Sequence, residues 1–270
     1  MTELKRERTL SERIARADAA TECEKVMALH CYWHAGGIHR EEIEQYWTKR
    51  HPLTWAHNFG QMKGVDNYTS CYADAQEANA EAYYKLLEPI YPEVKEVKEK
   101  RALIEEAMHL LVTPIIEVAG DGQTVKCLWY TPGCIFSSLT PRKEREGMWI
   151  WERYGADFVL EDGRWLFLNL KVCCDIAGMM DEPGWGLSEG PPGPPPDEDG
   201  AAEASELSQD AENNDAPRTQ GEVSIPGPLH YNLSSTQLPQ ATPFIPVPYE
   251  IFSETYDYAT LTGIYEEDAK

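Results

Sequence analysis

The 270-residue chain lacks several features that mark common classes of protein. No stretch approaches 18 consecutive apolar residues, which excludes a transmembrane helix. The charged N-terminus MTELKRERTLSER lacks the apolar centre of an export signal. Basic residues are scarce, with 24 Lys and Arg against 46 Asp and Glu, and the net charge of −22 argues against nucleic acid or a membrane surface as a partner. We therefore expect a cytoplasmic protein.

Cofactor and metal motifs are also missing. The sequence contains no phosphate-binding glycine loop, no dinucleotide fingerprint and no H-E-x-x-H pair. The seven cysteines are an odd number without a C-x-x-C spacing, which indicates reduced thiols rather than disulfides or a zinc cluster. His30 and His34 share a helix face, but no third ligand stands at a useful spacing. We expect neither a cofactor nor a metal ion.

Charge and composition divide the chain into a body, a linker and an arm. Residues 181–222 carry twelve acidic side chains and one basic one. Residues 187–224 have almost no large apolar residue, so they are expected to form a disordered acidic linker rich in Pro and Gly. Apolar residues return among prolines in residues 225–270, which predicts an extended arm that docks on the body, residues 10–180.

The body changes its hydrophobic period from helical to alternating near residue 109. Helical composition covers four segments: 11–36, 41–47, 65–87 and 93–106. Beyond them, Asp121-Gly122 and Asp162-Gly163 each separate two alternating apolar runs. Asp-Gly favours the tight turn of a β-hairpin, because both residues tolerate a positive φ. The sequence therefore predicts an α+β fold with an antiparallel or mixed sheet.

A two-residue turn at Asp162-Gly163 fixes a predicted register for the second hairpin. It pairs Leu160 with Trp165 and Phe158 with Phe167 and, continued without interruption, pairs the remaining positions as Ala156–Asn169, Tyr154–Lys171 and Glu152–Cys173. Because side chains alternate along a strand, one face then combines aromatic rings with four polar groups. This is typical of a binding pocket or of a polar oligomer interface. The four polar residues are Glu152, Tyr154, Asn169 and Lys171, and a salt bridge between Glu152 and Lys171 is the simpler alternative.

Three blocks of sequence together resemble a known family. Residues 154–165, YGADFVLEDGRW, resemble the late hairpin of the SnoaL-like branch of the nuclear transport factor 2-like superfamily, and residues 109–122, HLLVTPIIEVAGDG, resemble its preceding strand. Tyr32, Gly36-Gly37 and Trp47 match its first helices, and the similarity spans about residues 12–176.

The resemblance implies a cone-shaped curved sheet closed by N-terminal helices around one apolar pocket, in a homodimer or homotrimer. The branch includes cofactor-free enzymes such as scytalone dehydratase, bile-acid 7α-dehydratase, polyketide cyclases and diarylpropane lyases. It also includes plain binding proteins, so the fold alone does not give the function.

The same resemblance assigns catalytic roles. Tyr32 and His109 match the proton donor and acceptor of the dehydratases, and Asn169 is the candidate for an asparagine on the last strand. The branch usually has an Asp about five residues after that Tyr, where this chain has Gly36-Gly37. His34 or Glu152 would have to replace it.

The pattern leaves the orientation of three candidates open. With Asp121-Gly122 as a two-residue turn, His109 shares a face with Glu117, which pairs outward with an opposing Lys, unless a bulge reverses the alternation. Trp55 and His57 share a face of an alternating strand and belong either to a pocket or to the core. Trp129 is either a pocket wall or part of an oligomer interface.

The sequence as a whole favours a cofactor-independent lyase that acts on a hydrophobic, hydroxylated aromatic or polycyclic molecule, as in the catabolism of aromatic compounds. It would remove water or release a small aldehyde by acid–base chemistry. His109, Tyr32 and Asn169 would be catalytic, and the substrate would contact His34, Trp55, His57, Trp129, Glu152, Tyr154 and Lys171. The alternatives are a double-bond isomerase of the ketosteroid type and a non-catalytic binding protein of the same fold.

Overall fold

The computed structural model describes most of the helices and strands of the body and a short part of the C-terminal arm. The described residues are 8–51, 54–57, 60–74, 105–137, 146–180, 223–226, 245–255 and 258, with a few positions between 77 and 95. Most of the expected linker (187–222) and most of the expected helical segments 75–87 and 93–104 lie outside them.

Three helices precede the main strands. α1 (Leu10–Gly36) begins with a capping box, in which the Thr9 side chain accepts a hydrogen bond from the Glu12 amide and the Glu12 carboxylate accepts one from the Thr9 amide. It ends at Gly37, whose φ of 64° suits glycine. α2 (His39–Tyr46) follows, then α3 (Val65–Thr69), which continues into a π-helical turn (Ser70–Asp74). No helix within the described ranges is long and apolar enough to cross a membrane.

One curved sheet contains all eight strands of the described residues. They are β1 (Thr54–His57), β2 (Gly60–Lys63), β3 (Glu105–His109), β4 (Val112–Val118), β5 (Thr124–Ser137), β6 (Glu146–Glu161), β7 (Arg164–Met179) and β8 (Val223–Pro226). Their order is β3-β5-β6-β7-β1-β2-β8, with β4 also paired to β5, and only β1–β7 is parallel. The predicted α+β fold and both Asp-Gly hairpins are confirmed. The prediction of a helix over 93–106 is wrong at its C-terminal end, where Glu105 and Glu106 begin β3.

The inner face of the sheet packs on α1 and forms the core. α1 contacts β3, β4, β5 and β7. The core includes Cys23, Val26, Met27, Cys127, Trp129, Phe158, Phe167 and Leu170. Because the sheet curls around a single long helix, one end of that helix is held against the last residue of β3, and this contact places the candidate site.

A β-bulge in the second hairpin changes the predicted faces. Phe158 pairs with Phe167 as predicted, but the register then shifts and Asp157 pairs with Asn169. A slip of one residue moves every later side chain to the other face. Asn169 and Lys171 therefore lie on the outer face, with Asp157, whereas Tyr154 stays on the inner face. The predictions that paired Tyr154 with Lys171 and Ala156 with Asn169 are wrong for this reason.

A second irregularity turns His109 inward. Glu117 pairs with Lys126 on the outer face, as predicted, but the register between β4 and β5 shifts between Val112 and Ile115. His109 precedes this break and pairs with Gly133, seven residues beyond Lys126 on β5. Because seven is odd, Gly133 and His109 belong to the inner face. The bulge that the sequence analysis left open is present, so His109 faces the core.

Gly133 permits the close approach of β3 that this placement needs. A Cβ atom at Gly133 would lie 2.1 Å from the backbone oxygen of Met108, next to His109. We expect Gly133→Ala to displace β3 and to lower the free energy of unfolding by about 1–3 kcal/mol, as overpacking does. Denaturant unfolding measures this. Gly36→Ala is the control, because its Cβ would meet only the Ile38 side chain; equal stability of the two variants would contradict the prediction.

Part of the C-terminal arm lies against the first hairpin. The Gly120 amide donates a hydrogen bond to the carbonyl of Tyr249 at 2.8 Å, and the Asp121 amide donates to the carbonyl of Glu250 at 3.0 Å. The Tyr249 side chain is buried. These contacts attach residues 245–255 to the turn between β4 and β5.

The arm also covers a charged pair on the outer face. The Nζ atom of Lys126 lies 2.7 Å from Oδ1 of Asp157, and both side chains are fully buried. The Tyr258 amide and the Asn169 side-chain amide donate to Oδ2 of Asp157, at 2.8 and 3.0 Å. The rings of Phe252 and Tyr258 each lie 4.8 Å from Lys126 Nζ, at cation–π distance. Lys126 Nζ and both carboxylate oxygens of Asp157 thus have partners beneath the arm.

Candidate active site

A buried imidazole and a buried carboxylate meet on the inner face of the sheet. His109 ends β3 and Glu152 lies on β6, opposite Gly133 and Thr131 of the intervening β5. His109 Nδ1 is 3.2 Å from Glu152 Oε2, and each side chain is 3% exposed. A carboxylate at Nδ1 holds that proton in place and leaves Nε2 as the basic atom. His109 Nε2 is buried and has no hydrogen-bond partner among the described residues.

Tyr154 shares the Glu152 carboxylate with His109. The Tyr154 ring is buried 5.7 Å from the His109 ring, and its hydroxyl is hydrogen-bonded to Glu152. Burial, together with the negative charge of Glu152, raises the pKa of the Tyr154 phenol well above its ordinary value. The phenol therefore stays protonated at neutral pH. It fixes the carboxylate from a second side.

Three histidines from the helices surround this pair. His34, near the end of α1, has its ring 5.0 Å from that of His109 and 5.1 Å from that of His39, at the start of α2. His30, one turn before His34 on the same helix face, stacks on it at 6.0 Å. Among the described residues, no group of three or more His, Cys, Asp or Glu side chains is arranged to hold a metal ion.

Glu42 of α2 forms a second buried carboxylate–imidazole pair. Its Oε1 lies 2.6 Å from His30 Nδ1 and accepts a hydrogen bond from Trp47 Nε1 at 3.0 Å. Burial alone would raise the pKa of Glu42, but His30, His39 and Trp47 outweigh it and lower the pKa to about 2. Its contribution to stability is therefore complete above its ordinary pKa and is lost as the pH falls toward 2. The sequence analysis missed Glu42, although its i, i+3 spacing from His39 could have indicated it.

Tyr72 is another residue that the sequence analysis missed. Its hydroxyl is 2.9 Å from His34 Nδ1, and the two rings stack at 5.8 Å. It lies in the π-helical turn after α3, and such turns are frequent at functional sites. A regular helical pattern in the sequence gives no signal for this turn.

Four of the predicted substrate contacts lie together on the inner side of the sheet: His34, Trp129, Glu152 and Tyr154. Trp129 is buried opposite Tyr154, and its indole N–H has no hydrogen-bond partner among the described residues. Thr131 lies opposite Glu152, and its buried hydroxyl also has no hydrogen-bond partner among the described residues. The backbone of Trp55 and His57 forms part of β1, but their side chains lie outside the described part of the structure.

Three predicted residues are not at this site. Tyr32 is 78% exposed, because it lies two positions and thus about 200° around α1 from His30. The bulge in β7 turns Asn169 and Lys171 to the outer face, so the predicted Glu152–Lys171 salt bridge is wrong. Burial lowers the pKa of Lys171, and its Nζ has no hydrogen-bond partner among the described residues.

Comparison with known proteins agrees with this fold. A family model described as a SnoaL-like domain matches residues 15–171. No curated protein sequence matches the chain.

Solved structures resemble the chain at low identity. A protein named "Putative Scytalone Dehydratase" from Novosphingobium aromaticivorans DSM 12444 is 10% identical over 64% of this chain and 95% of that chain, with a TM-score of 0.44. Hexachlorocyclohexane dehydrochlorinase LinA-type3 from Novosphingobium barchaimii LL02 is 13% identical over 67% and 99%, with a TM-score of 0.41. An NTF2-like protein with a cystatin-like fold from Novosphingobium aromaticivorans is 14% identical over 67% and 92%, with a TM-score of 0.37.

Proposed function

Because the chain belongs to the SnoaL-like family, we propose that it is a cofactor-independent lyase that removes water from a hydrophobic, hydroxylated aromatic or polycyclic ketone. The observation that carries the proposal is the buried His109–Glu152 pair, with Nδ1 3.2 Å from Oε2. Release of a small aldehyde by carbon–carbon cleavage would need the same base.

His109 is the base in this proposal. Its Nε2 takes a proton from the carbon next to the substrate carbonyl, and the imidazolium that forms is stabilised by Glu152. The contact is not an aligned hydrogen bond in the free protein, since His109 Nδ1 has no hydrogen-bond partner among the described residues. Such contacts often become shorter and straighter only when substrate binds. A low-dielectric interior strengthens the attraction between the new imidazolium and the carboxylate.

Unpaired donors on the inner face supply a place for the carbonyl oxygen. The Trp129 indole N–H and the Thr131 hydroxyl are buried beside Tyr154 and Glu152, without hydrogen-bond partners among the described residues. An unpaired buried donor is costly, and a ligand oxygen would satisfy it. As the proton leaves carbon, negative charge develops on that oxygen, and fixed donors there stabilise the transition state. The rings of Trp129 and Tyr154 favour a flat carbon skeleton.

A deuterium experiment tests the proposal. The protein is incubated in D2O with 4-hydroxy-4-phenylbutan-2-one and its naphthyl analogue, and the products are analysed by NMR and mass spectrometry. We expect loss of water and deuterium at the carbon next to the carbonyl, both absent in His109→Asn and both retained in Tyr32→Phe, whose side chain is exposed. Ketones recovered unchanged and undeuterated would contradict base catalysis.

A further inference from the structure

The outer face of the sheet carries an apolar patch at the edge formed by β3. Large apolar side chains from β3, β4, β5 and β6, and from the residue that follows β3, are 38–63% exposed there. We call this surface the β3-end patch, and its members are Met108, Leu110, Val112, Tyr130, Trp149 and Trp151.

The strand register makes the β3-end patch continuous. Tyr130 and Cys134 lie on the same face of β5, because they are four residues apart and side chains alternate along a strand. Tyr130 is paired with Val112. Cys134 is paired with Met108 on one side and with Trp149 on the other. The patch therefore crosses from the edge of the sheet to β6 without a gap.

The area of the patch suits a stable interface between proteins. At roughly 200 Å² for a fully exposed side chain of this size, the six members present about 500–600 Å² of apolar surface. A standard interface buries about 800 Å² on each partner, of which about 450–520 Å² is apolar. The patch meets that requirement, unlike apolar residues scattered singly over a surface.

The charge of the chain favours a second copy as the partner. A groove of about 450 Å³ lies within the patch, and no residue that lines it is charged. The chain has a net charge of −22, so a partner of opposite charge would bind its acidic surfaces instead. An uncharged face can meet its own copy, because a two-fold axis then brings equivalent residues together without repulsion between like charges.

We propose that two copies of the chain associate through the β3-end patch around a two-fold axis and that the dimer holds β3 in place. Within the described part of the chain, β3 is an edge strand that pairs with β5 alone. Met108 and Leu110, on either side of His109 in the sequence, both belong to the patch. The partner thus covers the outer side of the strand whose inner side carries His109. The inference holds whatever reaction the site catalyses.

Sedimentation of the full chain at micromolar concentration tests the assembly. We expect twice the mass of one chain, which is 30.6 kDa. Leu110→Arg and Trp151→Arg each place a charge in the patch, and each should raise the dissociation constant at least about thirtyfold, as loss of an interface hot spot does. Tyr32→Arg is the matched control, because Tyr32 is also an exposed ring but lies on α1. A monomeric wild type, or a dimer that survives both patch substitutions, would overturn the proposal.

Hydrogen exchange tests the effect of the dimer on β3. In Trp151→Arg, the amides of residues 108–110 should exchange at least about tenfold faster than in the wild-type dimer, because an edge strand opens locally when its cover is lost. The amides of β7, in the middle of the sheet, should exchange at the same rate in both proteins. Equal rates at residues 108–110, or faster exchange throughout the sheet, would overturn the link between the dimer and the strand that carries His109.

Discussion

Replacing Asp157 with Ala is expected to lower the free energy of unfolding by about 3–5 kcal/mol. The Asp157 carboxylate and the Lys126 ammonium are both fully buried and 2.7 Å apart. Without the carboxylate, the ammonium would remain in the interior without the Asp157 counter-charge, and the donors on Asn169 and Tyr258 would lose this acceptor. Chemical denaturation of the variant measures the loss.

Two controls separate this pair from an ordinary salt bridge. Burial is the largest influence on the pKa of Asp157 and raises it despite Lys126, which shows how much desolvation costs this pair. The double variant Lys126→Met, Asp157→Leu removes that cost and should be more stable than Asp157→Ala. Glu22→Ala breaks an exposed pair with Lys25 and should change stability by less than about 1 kcal/mol. Asp157→Ala within 1 kcal/mol of wild type would refute the prediction.

The second large effect is expected on turnover. Glu152→Gln should lower kcat/KM for dehydration by about 10²–10⁴, comparable to the loss of the orienting carboxylate in a catalytic triad. The amide is nearly the same size, but it carries no charge to stabilise the His109 imidazolium. It can also donate to Nδ1 and so place the ring proton on Nε2, where it blocks the base.

Glu117→Gln is the matched control for that change. Glu117 lies on β4, opposite Lys126, and its carboxylate is 4.0 Å from Arg16 Nη2, about 27 Å before His34 along α1. Burial raises the pKa of Glu117, so loss of its charge should be tolerated, and we expect turnover within about threefold of wild type. Initial rates at saturating and limiting ketone give kcat and kcat/KM for both variants. Equal activity of Glu152→Gln and wild type would remove Glu152 from the mechanism.

The Asp-Gly turns made the two hairpins predictable from the sequence, whereas the β-bulges could not be predicted. Asp121-Gly122 and Asp162-Gly163 encode their turns locally, since Gly122, Asp162 and Gly163 all adopt positive φ. A bulge depends on packing against residues distant in sequence, and no residue pattern before Phe167 indicates one. That single shift is why Asn169 was assigned to the wrong face while Glu152 and Tyr154 were assigned to the right one.

The site was partly predictable for a similar reason. His109 and Glu152 were identified from the family resemblance and from strand alternation. Glu42 and Tyr72 reach the site only through the packing of α2 and of the π-helical turn on α1, which are tertiary contacts between segments with ordinary helical sequences. Tyr32 was misplaced because a motif match gives a position along a helix but not its rotation about the axis.

The hydrogen bond from the Tyr258 amide to Asp157 has a consequence for biosynthesis. The last residue of β7 is Met179, so the ribosome must add roughly 80 residues after β7 before Tyr258 exists. At about 5–20 residues per second this takes about 4–16 s. During that interval the nascent sheet holds Lys126 and Asp157 without the cover that the finished chain provides. Messenger RNA that pauses translation within residues 181–244 would therefore prolong the most vulnerable stage of folding, although it alters no residue of the site.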